Sequence, residues 1–393
     1  MRYHVLGVGS IGSLLSHHLR RVLPSSHSVT LLHKNTHYAK NALQKDTICV
    51  ERSGVMSRSS GFLSETSDGY IVRGSHSSNV KEAEEDIESL FVTTKAYSTV
   101  PAVRSLASRL SPNSTIVLLQ NGLGIYEELC KEVFPDTEKR PHFILATNTH
   151  GVYAKNRQHV VHNGLGSITF GIMPNGERDY EAGFYNTALS RDERRLRLAD
   201  IGEPGGPLFR KYRSLRNTVA AMLLLESLNP TWKPMTQVQT ALHRKVVVNS
   251  VINPLTAVMN CRNGDIFNSR ASLSMMKRVC IEASLAFAHQ MYEGLSLEYG
   301  EDSERMEELL MEKLPVDLRV ESLEAECLRI ANSTRDNMSS MLSDIRQGRP
   351  TEIQYLNGYL LKLGRSYGLK MPMTLTLQQL VEMRSKIPLD QIF

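Results

Sequence analysis

Several common features are missing from this chain of 393 residues, and each absence excludes a class of protein. The five cysteines are scattered without a CxxC pair, which argues against a disulfide framework or a cysteine zinc site and predicts reduced, structural thiols. No apolar run approaches the ~18–20 residues of a membrane span, and no internal repeat stands out. The net charge of +5 is mild, so it fits an anionic ligand and gives no argument for nucleic-acid binding.

The remaining composition is that of an ordinary globular protein, with 41% hydrophobic and 22% charged residues. A chain of 393 residues is long enough for two or three domains. Its N-terminus runs directly into a strand-like segment and a glycine motif, so we expect no cleavable presequence. We therefore expect a cytoplasmic protein, and a mitochondrial location stays open.

The most informative stretch is residues 241–257, which read ALHRKVVVNSVINPLTA. Lys245, Asn249 and Asn253 are spaced four apart, so on a helix they share one slowly drifting face. The valine, isoleucine and leucine residues around them predict burial, where polar groups need polar partners. Pro254 removes one helical hydrogen bond beside them and predicts a kink. The alternative is a helix rim, where Lys245 reaches water and the amides cap neighbouring elements.

A glycine motif follows the first predicted strand, residues 3–6. The sequence GVGSIG runs from Gly7 to Gly12, and a helical pattern comes next. In the GxGxxG arrangement the first glycine makes a tight turn, the second admits a pyrophosphate, and the third lets helix and strand pack closely. The amides and dipole of the helix N-terminus then face the phosphates. The context predicts dinucleotide binding, with a chance glycine loop as the alternative.

The end of the second predicted strand, residues 28–32, indicates which dinucleotide is bound. Proteins that bind NAD usually carry an acidic residue there for the ribose hydroxyls. This chain carries His33 and Lys34 instead. A cation at this position suits a 2′-phosphate, so we predict NADP. The alternative is a solvated turn with a routine lysine.

Two further polar residues follow predicted strands at residues 90–94 and 115–119. Lys95 comes directly after the first strand, and Asn121 comes just after the second. Ligands of doubly wound sheets bind outside the carboxyl ends of the strands, so both residues are placed to meet cofactor or substrate. Each is alternatively an ordinary turn residue.

The rest of the chain changes character. Residues 142–147 and 160–171 predict two more strands, with glycine turns around Gly151 and Gly164. Residues 174–217 are charged and loop-like, and we interpret them as an insertion that is mobile or partly helical and most simply a solvated surface loop. Beyond them the pattern is helical, with periodic segments at 281–291, 303–314 and 322–332.

Five blocks together resemble the ketopantoate (2-dehydropantoate) reductase family. They are GVGSIG, TTKAY around Lys95, QNGLG at Asn121, KVVVNSVINPLTA from Lys245 and NMSSMLSDIRQGRPTEIQYLNG from Asn337. Lys-x-x-x-Asn also occurs in β-hydroxyacid dehydrogenases, whereas the Asn-Pro and the last block point to this family. The resemblance implies an N-terminal α/β, Rossmann-type doubly wound domain over residues 1–230, with the insertion at 174–217. It implies an all-α substrate-binding domain over residues 231–393.

The resemblance also implies which residues act. It assigns cofactor binding to Gly7, Val8, Gly9, Ser10, Ile11, Gly12, His33, Lys34, Lys95 and Asn121. It assigns substrate binding to Lys95, Asn249, Asn253, Asn337 and Ser340. It makes Lys245 the catalytic lysine and matches Glu352 to a substrate contact of the helical domain. As a nearby carboxylate, Glu352 is expected to keep Lys245 charged, and it can bind a substrate hydroxyl. The alternative is that Glu352 only starts a helix and Ser340 only caps one.

The implied activity is NADPH-dependent reduction of 2-dehydropantoate to (R)-pantoate, a step of pantothenate and coenzyme A synthesis. Hydride arriving at the keto carbon leaves charge on the oxygen, which a positioned ammonium stabilises and protonates. Two alternatives stay open: a catalytically silent, nucleotide-binding regulatory member of the family, and a reductase of a different branched 2-oxo acid. The expected partner is a small-molecule 2-oxo acid, without metal, nucleic acid or membrane, and a homodimer is left open.

Overall fold

The computed structural model describes residues 1–45, 47–66, 70–72, 80–82, 85–291 and 313–387. The chain divides into two compact units. The N-terminal unit comprises Met1–Gln120 and Ile125–Val238, and the helical unit comprises Asn121–Gly124 and Gln239–Phe393. The helix predicted at 303–314 falls almost entirely outside the described residues.

The strands of the described residues all belong to the N-terminal unit. They are β1 (Arg2–Leu6), β2 (Ser28–His33), β3 (Thr47–Arg52), β4 (Val55–Ser60), β5 (Leu63–Thr66), β6 (Tyr70–Val72), β7 (Val80–Glu82), β8 (Ser89–Val92), β9 (Thr115–Leu118), β10 (His142–Asn148), β11 (Gly151–Asn156), β12 (His159–Gly164), β13 (Ile168–Ile172) and β14 (Pro230–Trp232).

The described helices come between these strands and after them. They are α1 (Ser10–Val22), α2 (Thr36–Lys45), α3 (Ala96–Arg104), α4 (Ile125–Glu132), α5 (Ala182–Tyr185), α6 (Leu198–Ile201), α7 (Phe209–Leu223), α8 (Met235–Met259), α9 (Arg270–Met291), α10 (Val320–Ser333), α11 (Ser340–Arg346), α12 (Asn357–Ser366) and α13 (Pro372–Lys386). None of them is both long and apolar enough to span a membrane.

The main sheet has the strand order β14-β13-β10-β9-β8-β1-β2-β5-β6-β7. Strands β10, β9, β8, β1, β2 and β5 pair in parallel, whereas β13 runs antiparallel to β10. Every residue of β8 and β9 is buried, as expected for parallel strands that are covered on both faces. The chain order reverses at β1, between β2 and β8, which is the switch point where such sheets bind ligands. The predicted fold class is confirmed.

A smaller sheet in the same unit has the order β11-β12-β3-β4. Its β3–β4 hairpin turns at Ser53 and Gly54, which both have positive φ values, of 48° and 79°. Two central residues with positive φ are typical of the tight hairpin turn that matches strand twist. The predicted strand at residues 160–171 is divided between the two sheets. Its first part, β12, pairs with β3 of the smaller sheet, and its last part, β13, pairs with β10 of the main sheet.

Each unit has its own apolar core. In the N-terminal unit Leu14, Leu15 and Leu19 of α1 pack with buried residues of the main sheet, among them Val5 and Val29. This spacing places the three leucines on one helix face. In the helical unit α8 contributes a nearly continuous run of buried residues, and α9 to α13 pack with it. A helix with apolar residues almost all round is a central helix of its unit.

The segment 174–217 is partly helical, as the interpretation of the sequence allowed, but it is not solvated throughout. Its apolar residues Tyr180, Ile201, Tyr212 and Leu215 are buried in the core of the N-terminal unit. Helix α7 starts at Phe209 and runs on past the predicted end of the insertion. In the sequence, the many charged residues of this segment outweigh the few apolar residues that pack in the core.

Candidate functional site

The glycine loop joins β1 to α1 in the form that a pyrophosphate site requires. Gly7 has φ +98°, and a Cβ there would lie 2.6 Å from the backbone nitrogen of Thr94. A Cβ on Gly12 would collide with the carbonyl oxygen of Gly7, so neither position accepts a side chain. Gly9 is the N-cap of α1, and a Cβ there would meet no heavy atom within 4 Å. The loop therefore leaves open space beside Gly9, where phosphate oxygens can approach the backbone.

The other residues of the motif hold this loop in place. Ser10 and Ile11 begin α1, and Val8 packs against the core of the N-terminal unit. The first turn of α1 carries no acidic side chain, so nothing there repels an anion at its N-terminus. Thr93 donates a hydrogen bond from Oγ1 to the Gly7 carbonyl at 2.6 Å. The loop is thus fastened to the end of the neighbouring strand β8.

At the end of β2 the two residues assigned to the 2′-phosphate differ in burial and charge. Lys34 is exposed, as a phosphate ligand should be. His33 is buried, and its Nε2 lies 3.4 Å from the Ser64 hydroxyl. Burial, together with the nearby Arg157, lowers the pKa of His33 to about 4. His33 is therefore neutral near pH 7, so of the two residues Lys34 supplies the positive charge.

Lys95 follows β8 and is the N-cap residue of α3. Its side chain is half-buried, and its carbonyl accepts hydrogen bonds from the hydroxyls of Ser98 and Thr99, at 2.9 and 3.2 Å. These bonds fix the backbone where strand turns into helix. Lys95 thus lies at the carboxyl edge of the sheet, as the sequence predicts, close in sequence to the threonine that holds the glycine loop.

Asn121 belongs to a short loop that forms part of the helical unit. In this loop Gly122 has φ +86°, and a Cβ there would lie 2.6 Å from the Tyr355 carbonyl oxygen. The next residue, Leu123, donates its backbone N–H to the same oxygen at 3.0 Å. Only glycine permits this close approach. The loop therefore lies against the segment that follows Glu352.

The predicted polar face of α8 is present. Asn253 is buried, and Lys245 and Asn249 are half-buried. The helix runs unbroken from Met235 to Met259, with Pro254 inside it. The three polar side chains thus belong to the central helix of the helical unit.

Pro254 leaves the Ser250 carbonyl without its usual helical donor. The side-chain amide of Asn357, at the start of α12, donates to that oxygen at 3.1 Å, and Asn357 is fully buried. Asn357 could not be predicted as this donor from the sequence. A proline in a buried helix signals that some donor must replace the lost N–H, but it does not say which residue provides it.

Lys245 and Glu352 interact within the helical unit. Burial lowers the pKa of Lys245 to about 8, and the negative charge of Glu352 opposes that shift. The Glu352 side chain is buried and does not cap the short helix that follows it. The alternative that Glu352 only starts a helix therefore does not describe its side chain. The pair keeps an ammonium in a desolvated place with a pKa near physiological pH.

The start of α11 is bound to α8 close to Asn253. Ser339, rather than Ser340, caps α11, since its hydroxyl accepts from the Leu342 N–H at 3.1 Å. That hydroxyl also accepts from Thr256 Oγ1 of α8 at 2.7 Å. Ser340 is the first residue of the helix and is exposed, so capping does not occupy its side chain. The cap was missed because the two serines are adjacent.

Asn337 lies just before this cap and is half-buried. Its carbonyl accepts the backbone N–H of Asn263 at 3.0 Å, and its own N–H donates to the Thr334 carbonyl at 2.9 Å. The backbone of the segment is therefore fixed on both sides. The predicted substrate residues at 337 and 340 thus lie on one rigid segment.

Comparison with known proteins identifies the family. A family model described as ketopantoate reductase PanE/ApbA matches residues 3–175, and its C-terminal counterpart matches residues 237–385. The chain belongs to the ketopantoate reductase family. It is therefore an oxidoreductase of that family, and the resemblance seen in the sequence is confirmed.

Individual proteins agree with this assignment. The probable 2-dehydropantoate 2-reductase of Schizosaccharomyces pombe is 24% identical over 382 residues, which cover 97% of this chain and 95% of the relative. The 2-dehydropantoate 2-reductase of Escherichia coli O157:H7 is 27% identical over 315 residues, 80% of each chain. A structure of D-mandelate dehydrogenase with NADH and anilino(oxo)acetate matches with a TM-score of 0.69 at 17% identity, covering 98% of this chain and 99% of that one. This last likeness shows a shared fold.

Proposed function

We propose that this protein reduces 2-dehydropantoate to (R)-pantoate, with NADPH as the hydride donor. The family models and the relatives named 2-dehydropantoate 2-reductase support this substrate. The observation that carries the proposal is the pair of half-buried Lys245 and buried Glu352, because burial brings the pKa of the ammonium group to about 8, where it can donate a proton near neutral pH. A structural lysine has no need of that property.

The glycine loop fits a dinucleotide. The backbone shape enforced at Gly7 and Gly12, together with the open space at Gly9, suits a pyrophosphate at the N-terminus of α1. NADPH, when bound, supplies the hydride. Lys34 supplies positive charge at the end of β2, where the 2′-phosphate is expected, and this favours NADPH over NADH.

Lys245 is the proposed general acid. As hydride reaches the keto carbon, the pair of electrons of the carbonyl π bond moves onto the oxygen. The Lys245 ammonium stabilises this developing charge and transfers a proton from Nζ to the oxygen, which completes the hydroxyl of pantoate. Lys245 is left as a neutral amine and regains its proton from water. A pKa of about 8 suits both steps, because the group gives up and regains a proton easily near that pH.

The other polar residues orient the substrate in this proposal. Asn249 and Asn253 present amides on the Lys245 face of α8, and amides bind a carboxylate or hydroxyl without titrating. Asn337 and Ser340 contribute from the segment that is bound to α8 through Ser339.

The remaining proposed contacts assign cofactor binding and substrate binding to the two domains predicted from the sequence. Residues 1–230 would bind NADPH, including contacts from Lys95, and residues 231–393 would bind the oxo acid. Asn121 is proposed to contact the cofactor. A homodimer and a cytoplasmic location stay predictions from the sequence.

The test is the purified full-length protein with a panel of 2-oxo acids. NADPH oxidation is followed with 2-dehydropantoate, with 2-oxoisovalerate, which lacks the hydroxymethyl group, and with benzoylformate, an aromatic 2-oxo acid. We expect the highest kcat/KM with 2-dehydropantoate. A binding site built for the substrate hydroxyl discriminates strongly against an analogue without it, because its polar groups are then left unpaired.

Two outcomes would contradict the proposal in different ways. A higher kcat/KM for another acid of the panel would make the protein a reductase of that acid. NADPH binding without oxidation by any acid of the panel would indicate the catalytically silent alternative.

A further inference from the structure

The end of β2 needs a second cation if it is to bind a phosphate strongly. His33 is neutral there, so Lys34 is left as the positive charge of the two-residue motif. An ammonium binds phosphate as a point charge and adds little geometric selectivity. A second basic side chain, brought here by the fold, would supply that selectivity.

Arg157 comes to the end of β2 from the second sheet. It lies in the turn between β11 and β12, and its guanidinium carbon is 3.6 Å from the centroid of the Tyr38 ring. Tyr38 is on α2, the helix that directly follows β2. Arg157 is exposed, and it is close enough to His33 to lower the pKa of that histidine electrostatically. A guanidinium group is thus positioned beside the residues that read the adenosine ribose in this fold.

The turn that carries Arg157 is fastened on both sides. The side-chain amide of Gln158 donates to the Ala42 carbonyl of α2 at 3.1 Å. The backbone carbonyl of Gln158 accepts a hydrogen bond from the Cys49 N–H at 2.7 Å, and the backbone N–H of Gln158 donates to Asn156 Oδ1 at 3.1 Å. The backbone beside Arg157 is therefore held against α2 and β3, so the position of the guanidinium follows from the fold.

We propose that Arg157 is a specificity-determining residue that binds the 2′-phosphate of NADPH together with Lys34. This inference rests on the proposed function in so far as NADPH is the cofactor. A guanidinium that stacks through its flat face keeps the N–H groups of its edge for hydrogen bonding. Those groups match two phosphate oxygens at once, which an ammonium does not. The Tyr38 ring orients the guanidinium before the phosphate arrives, so less side-chain entropy is lost on binding.

A purely structural role for Arg157 makes a different prediction. An exposed cation–π contact can simply hold the β11–β12 turn onto α2, at a gain of about 0.5–1 kcal/mol. In that case the loss of the Arg157 side chain would change the shape of the site. It would then weaken the binding of ligands with and without the 2′-phosphate equally. The test therefore compares two ligands that differ only in the 2′-phosphate.

The experiment measures binding to the full-length protein by calorimetry, with no turnover required. The probes are 2′-phospho-ADP-ribose and ADP-ribose, and the quantity of interest is the ratio of the dissociation constant for ADP-ribose to that for 2′-phospho-ADP-ribose. For Arg157→Gln we expect this ratio to fall about tenfold to a hundredfold, the effect of one charge-assisted hydrogen-bonded pair. Affinity for ADP-ribose should change by less than about twofold, since that ligand lacks the group that Arg157 binds. Arg157→Lys should give an intermediate ratio.

Arg191→Gln is the matched control. Arg191 is exposed on the same unit and lies in the charged stretch of residues 191–195, so the variant removes the same charge elsewhere. It should leave the ratio unchanged, whereas a fall in the ratio here would mean that net charge alone is responsible. Thermal melting of both variants checks that the fold is intact.

An unchanged ratio in Arg157→Gln would overturn the inference, as would an equal loss of affinity for both probes. Neither result would touch the proposed reaction, which the oxo-acid panel tests. Conversely, suppose that the protein reduces no oxo acid but that Arg157→Gln shows the expected change in the ratio. The inference about Arg157 would then be supported, and the proposed reaction would be contradicted.

Discussion

The carboxylate of Glu352 should set the pH at which the enzyme loses activity. Burial lowers the Lys245 pKa to about 8, and Glu352 opposes this. Lys245 must be protonated to act as the acid, so activity is present below its pKa and is lost as the pH rises through it. In Glu352→Gln the opposing charge is gone, so the Lys245 pKa should fall further and the alkaline limb of the kcat profile should move to lower pH.

The expected fall in kcat for Glu352→Gln follows from the pKa of Lys245 and the size of its shift. Removing an opposite charge close to a titrating group typically shifts its pKa by about 1–3 units. At pH 8 about half of the wild-type Lys245 carries its proton, given its pKa of about 8. After a shift of about one unit only about a tenth would. The kcat at pH 8 should thus fall about fivefold or more, and the loss should shrink as the pH is lowered.

The assay is kcat against pH under conditions where chemistry limits the rate. Glu321→Gln is the control, because Glu321 is an exposed carboxylate of the same unit, and its profile should match the wild type. A Glu352→Gln profile that is scaled down equally at every pH would refute the reasoning. It would indicate that Glu352 acts only in structure or in substrate binding.

Three further predictions follow from the same structure. Lys34→Asp should raise KM for NADPH by about tenfold or more relative to NADH, because a carboxylate repels the 2′-phosphate; equal effects on both cofactors would contradict this. Asn357→Ala should lower the free energy of unfolding by about 1–3 kcal/mol, measured by urea titration, because it leaves the buried Ser250 carbonyl unpaired; an unchanged midpoint would argue against that bond. Stability should fall as the pH drops from 6.5 towards about 4, because four histidines have pKa values that partial or full burial lowers. They are neutral when folded and take up protons on unfolding, by up to about 1.4 kcal/mol per pH unit each; a flat stability profile in this window would contradict the prediction. These histidines are His17, His18, His33 and His243.

Features that depend on neighbours in the chain could be predicted from the sequence. The glycine loop is one, because strand, turn and helix follow one another and a Cβ on Gly12 would collide with the Gly7 carbonyl only five residues earlier, although the close approach of Gly7 to Thr94 could not be predicted. The polar face of α8 is another, because a spacing of four residues fixes a shared face on any helix.

Features that depend on distant parts of the chain could not be predicted. His33 looks like a cation in the sequence, and its neutrality comes from burial against β5 and from Arg157 on a different sheet. Arg157 itself lies in a short polar turn that carries no recognisable signal. The core residues of the segment 174–217 could not be predicted, because its many charges outweigh them in any local average.

The replacement of Lys245 by alanine tests the central claim most directly. Negative charge builds on the substrate oxygen only as hydride arrives, so the ammonium contributes more to the transition state than to the bound ground state. We predict a fall in kcat on the order of 10²–10⁴. The affinity for NADPH, measured separately by fluorescence titration, should stay nearly unchanged, since the glycine loop and Lys34 are intact. A Lys245→Ala enzyme that retains more than about a tenth of the wild-type kcat, where chemistry limits the rate, would show that another group is the acid.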